Sequence, residues 1–125
     1  MNLNQIDNSE TLFRVVRKSD PNGFIDGKPT AALFIDPRGT SVDRDGGRKE
    51  SEIIDSFRKR FDKRDDYGKA VKIGAGTCRV IGTYPNPIGN TRNKYHAEIW
   101  ESEKEPVISL LKAIRLAAEC KTVEE

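Results

Sequence analysis

Cysteine is almost absent: Cys78 and Cys120 are the only two in 125 residues, far apart and outside any C-x-x-C spacing. That excludes a disulfide framework and a zinc knuckle, and it suits two small apolar fillers in a reducing cytoplasm. No apolar run exceeds a few residues, so no segment is long enough to span a bilayer as a helix. The first five residues have neither the basic start nor the apolar stretch of a signal peptide. Neither charge dominates, with 22 Lys and Arg against 20 Asp and Glu for a net +2. One Trp and three Tyr offer little for base stacking. A single histidine, His96, does not make the His, Cys and carboxylate cluster that a metal site needs, and no cofactor motif is present.

What the chain does have is patterning. Charged residues make up 34% and hydrophobic ones 35%, yet the apolar residues fall in periodic blocks that a disordered chain lacks. The length fits one domain with one real core. Residues 1–10 and 122–125 read as flexible ends of a domain spanning 11–121. Residues 11–16 are β-branched and aromatic, with Phe13 and Val15 on one strand face and Leu12, Arg14 and Val16 on the other. After the turn chemistry of 19–23, residues 30–35 and 40–43 read as further strands. Ile53, Ile54, Phe57 and Phe61 form one helical stripe, predicting a helix over 50–61 whose C-terminal Arg58, Lys59 and Arg60 complement its dipole. Residues 69–73 alternate as a strand, Thr77 suits a short helical turn to Ile81, and 82–93 read as a long irregular connection. Residues 95–100 form a strand with His96, Glu98 and Trp100 on one face. Pro106 opens a last helix whose stripe, Val107, Leu110, Leu111, Ile114, Ala117 and Ala118, is taken as core. The class is α+β: a mostly antiparallel sheet of four or five strands with two main helices.

The only histidine and only tryptophan fall within residues 85–100, where a turn-rich loop enters a strand. His96 and Glu98 suit a base and its orienting carboxylate if one side chain leans toward the other; a cross-sheet hydrogen bond explains His96 equally. Asn90, Arg92 and Lys94 offer amide and phosphate contacts from the loop. Gly74 and Gly76 could free backbone N–H groups for a phosphate, although the P-loop and dinucleotide fingerprints are missing. From Tyr67 to Ala97 there are five cations (Lys69, Lys72, Arg79, Arg92, Lys94) and no acid, whereas the chain from Glu98 onward is acidic. Such a region attracts polyanions, or simply neutralises its acidic neighbour. Arg14 lies among apolar neighbours and therefore needs an anion or carboxylate, and Ser41 sits on a later strand.

The order Arg14, Ser41, then Glu98 or Glu101 resembles that of NAD-dependent ADP-ribosyltransferases, without their Ser-Thr-Ser and Glu-x-Glu forms. More broadly, Leu12-Phe13-Arg14, Ser41-Val42-Asp43 and His96-Ala97-Glu98-Ile99, followed by an alanine-rich helix, resemble a group of small uncharacterised prokaryotic proteins. That resemblance implies a bacterial or phage origin and no established activity. Three functions fit. The favoured one is binding or processing of a nucleotide or nucleic acid, with His96, Glu98, Arg14 and Ser41 around a cleft. The others are a non-catalytic interaction module, accessory or antitoxin-like, and a non-enzymatic nucleic-acid binder.

Overall fold

The β-branched run at 11–17 sets the organisation of the molecule. In the computed structural model, which describes residues 1–125, it becomes β1 (Thr11–Arg17), an inner strand. The hairpin of β2 (Phe24–Ile25) and β3 (Lys28–Pro29) follows, then β4 (Thr40–Arg44) and α1 (Glu50–Phe61). After these come β5 (Tyr67–Gly74), α2 (Ala75–Ile81), β6 (Tyr84–Asn86), β7 (His96–Trp100), α3 (Leu110–Glu119) and β8 (Lys121–Thr122). The main sheet runs β6-β7-β4-β1-β5-β8, and every neighbouring pair is antiparallel. The class is α+β as expected, with six strands and three helices. Short edge strands make the difference: β6 lies inside the supposed irregular connection, and β8 lies in the C-terminal segment.

Alternation along the strands sends two sets of side chains to opposite faces. One face, carrying Phe13 and Ala70, is covered by Ile53, Ile54 and Phe57 of α1, with Val123 beside them. The other, carrying Leu12, Val16, Val42, Val71, Ala97 and Ile99, is covered by α2, α3 and the turn at Ala31–Phe34. No helix is long and apolar enough to cross a membrane.

Three expectations change. Residues 30–35 are not a strand: Ala31–Phe34 is a 3₁₀ turn that packs Leu33 and Phe34 into the core beside the sheet without pairing with it. The last helix begins at Leu110, not at Pro106, because Glu101 Oε1 accepts the Ser109 N–H at 2.8 Å and fixes the start there. Its buried residues are Ala113 and Leu116, so most of the supposed core stripe faces outward. Residues before β1 are packed onto the domain: Ile6 is buried, and Arg79 donates to its carbonyl oxygen. Both cysteines are free and buried, which pushes the Cys78 thiol up to about 12 and that of Cys120 up to about 11.

Candidate functional site

β4 pairs with β1 only through Leu12 opposite Arg44 and Phe13 opposite Asp43. Beyond that point β1 stays with β5 as far as Arg17, while β4 stays with β7 back to Thr40. The two inner strands therefore diverge and leave a slot through the sheet. It widens into a cleft of about 320 Å³, near the lower end for small-molecule sites. Phe13, Phe57 and Phe61 form its apolar wall, and Arg14, Arg17, Arg60 and His96 supply its basic groups.

Arg14 reaches into the slot. Its Nε donates to Leu33 O at 2.7 Å and its Nη1 to Ser41 O at 2.8 Å. Both acceptors are neutral carbonyls, and the guanidinium has no carboxylate ion pair. Burial pushes its pKa down, against the opposing charges of Asp36 and Asp20 at the cleft mouth. A desolvated cation held this way favours an anion that can enter the cleft.

On the α1 face, Asp43 is 3% exposed and gathers three donors. Arg60 Nη2 lies 3.0 Å and Arg48 Nη2 3.3 Å from Oδ2, and Asn93 Nδ2 donates to Oδ1 at 3.0 Å. Arg48 also lies 3.6 Å from the centre of the Tyr95 ring, a cation–π contact. Across the β4–β7 ladder Asp43 faces His96, and Ser41 faces Glu98. Glu98 does lean toward its neighbour: His96 Nε2 is 3.3 Å from Oε2, and Trp100 Nε1 donates to Oε1 at 2.8 Å. One carboxylate thus orients both rings. Gly39, with φ of +98°, leaves room for them, since a Cβ there would stand 2.6 Å from Trp100 Nε1 and 2.9 Å from Glu98 Oε1. Gly39→Ala should cost about 1–3 kcal/mol, from the left-handed backbone and the forced retreat of the indole. The emission of the sole tryptophan should shift with it; unchanged emission and stability would show that the turn tolerates the methyl.

Ser41, His96 and Glu98 share one face, whereas Arg14 follows Leu12 and Val16 to the other. Arg14, Ser41 and His96 meet at the cleft only because the sheet is split there, while Glu98 stays outside its lining and acts on it only through His96. The contact to Arg14 comes from the Ser41 carbonyl, not its hydroxyl. Glu101 is held by Lys112 at 2.8 Å and by the Ser109 amide; these bonds lower its pKa and keep it out of the cleft lining. Asn90 turns its own loop, its Oδ1 accepting the N–H groups of Arg92 and Asn93. Arg92 lines a neighbouring shallow groove with Arg48, Lys59 and Arg60, and Lys94 lies 5.2 Å from the Tyr95 ring centre. The turn with Gly74 and Gly76 lies elsewhere. There the N–H groups of Ala75 and Gly76 donate to Glu10 O and Asn8 O, so the chain's own N-terminal segment occupies it. The residues that sequence reasoning passed over are Asp43, Arg48, Arg60 and Asn93. Asp43 carried a signal, an acid alternating with Val42 on an inner strand; Arg60 was hidden among helix-end cations.

No family model, curated protein or solved structure matches this chain. The chemistry rests on the cleft itself. It offers a partly unpaired guanidinium, two further arginines and an imidazole beside an aromatic wall. No three His, Cys, Asp or Glu side chains stand together as metal ligands.

Proposed function

We propose that the domain binds a small phosphorylated ligand of mononucleotide size in the cleft between β1 and β4. The observation that carries this reading is Arg14, a desolvated guanidinium whose hydrogen bonds go only to Leu33 O and Ser41 O. Arg60 and Arg17 flank the phosphate position, His96 lines it from the β7 side, and Phe13, Phe57 and Phe61 receive the apolar part of the ligand. The cleft volume favours a mononucleotide over a dinucleotide. An oligonucleotide has a narrower basis, the groove of Lys59, Arg60 and Arg92 that adjoins the cleft at Arg60.

Thermal unfolding with a panel of mononucleotides tests the proposal. A ligand at about 100 times its Kd should stabilise the wild type by about 2.7 kcal/mol. Arg14→Gln should lose that gain, and His96→Gln should reduce it. Equal stabilisation of wild type and Arg14→Gln, or no response to any mononucleotide, would overturn the reading. Affinity that appears only with oligonucleotides and falls steeply with salt would transfer it to the groove.

A further inference from the structure

The stripe that looks most like core in the sequence lies on the surface. Leu110 is 63% exposed, Leu111 76% and Ile114 51%, at the i, i+1, i+4 spacing of one helix face, and Val107, just before the helix, is 44% exposed. The opposite side of α3 is the one that packs inward, through Ala113 and Leu116. A contiguous apolar patch on a helix otherwise satisfied by its own domain marks an interface. Its occupant is indicated by its shape. Large residues sit at the amino-terminal end, Leu110 and Leu111, and small ones seven positions on, Ala117 and Ala118. Beside the alanines is a hollow of about 570 Å³ walled by Pro29, Ala31 and Ile114.

We propose that α3 packs antiparallel against α3 of a second copy about a two-fold axis at Ile114. In that register Leu110 and Leu111 of each copy lie over Ala118 and Ala117 of the other, and each copy supplies both knob and hollow. This self-complementarity is what an isologous interface requires. A parallel pair would set leucine on leucine and leave a void over the alanines. Charge agrees with the antiparallel sense. Glu103, Lys104 and Glu105, which precede the helix, and Glu119 and Lys121, at its end, are exposed and take part in no ion pair within the chain. Antiparallel packing brings Glu103 and Glu105 of one copy toward Lys121 of the other and Lys104 toward Glu119, whereas parallel packing sets each charge beside its own copy. Lys112 stays clear of the seam, bound to Glu101 and to Gly82 O.

Light scattering on the full chain at high-micromolar concentration reads the result. The wild type should show twice the monomer mass of 14.1 kDa. Leu111→Glu should return it to the monomer value, and so should Ala118→Leu, which fills the hollow from an exposed position without adding charge. All three proteins should keep the same circular dichroism, because these side chains do not hold the fold. Ile114→Cys should oxidise to a covalent dimer across the axis, and Val80→Cys, 81% exposed on α2, should not. A wild type of monomer mass at every concentration overturns the proposal, even if the patch captures some other protein. So does a dimer that survives both Leu111→Glu and Ala118→Leu.

Discussion

Arg44→Met should destabilise the domain by about 3–5 kcal/mol, a large share of the roughly 5–15 kcal/mol that holds a typical domain together. Arg44 is 1% exposed on β4, yet its guanidinium is paired. Its Nε and Nη2 grip the two oxygens of Glu10 at 2.7 and 2.8 Å, and Nη2 also donates to Gln5 O at 2.7 Å. Methionine fills much of the volume but leaves the part-buried Glu10 carboxylate without its counter-ion. It also releases the segment that carries Ile6 into the core. Glu10→Gln should cost less, and the pair of substitutions together less than their sum, which a double-mutant cycle in urea would measure. Losses that simply add would show that the two side chains do not act as a unit.

The same pair sets a pH dependence. Burial pushes the Glu10 carboxyl up, but the Arg44 hydrogen bond, the Asp7 amide and the Arg44 charge outweigh it and leave the pKa below the ordinary value. A depressed carboxylate contributes stability above its unfolded pKa and loses it as pH falls through the folded one. The wild type should therefore weaken on acidification beneath the ordinary carboxylate range. In Arg44→Met the Asp7 amide alone is left to oppose burial, so the Glu10 share of this acid sensitivity should shrink. What is left is that of Asp7, Asp66 and Glu101, whose pKa values are also lowered. An unfolding profile as acid-sensitive as the wild type's would place the titrating group elsewhere.

Local periodicity was enough to locate α1, because Ile53, Ile54 and Phe57 form one apolar stripe with a single partner face. It was enough for β7 too, where His96, Glu98 and Trp100 alternate with buried Ala97 and Ile99. Periodicity shows which residues share a side but not what covers that side. For α3 the stripe was real and its direction was not legible, because the residues that close the core, Ala113 and Leu116, lie outside the stripe. The cleft was illegible for a different reason. It depends on where the β1–β4 ladder stops, a long-range register that Arg14 and Ser41 do not encode in their own neighbourhoods. The role of Asp43 depends on partners from α1 and from the loop before β7, brought together only by the fold.

Asp43→Ala carries the second large expected effect, about 3 kcal/mol of stability, at the low end for breaking a buried pair because Arg60 can turn back to water. Its side chain is 3% exposed, while those of Arg48 and Arg60 are 13% and 39% exposed. Removing it leaves two cations together and an unpaired Asn93 amide, so the loop before β7 should loosen along with the loss of stability. Asp43→Asn should cost less, because an amide oxygen can still accept from Asn93. The two variants separate a clamp from a ligand contact. If Asp43 holds the arginines in place, Asp43→Asn frees positive charge at the cleft rim. Mononucleotide affinity should then be unchanged or higher at low salt, while Arg14→Gln abolishes it. Affinity lost in Asp43→Asn without loss of stability would reverse the assignment, placing the carboxylate among the groups that touch the ligand.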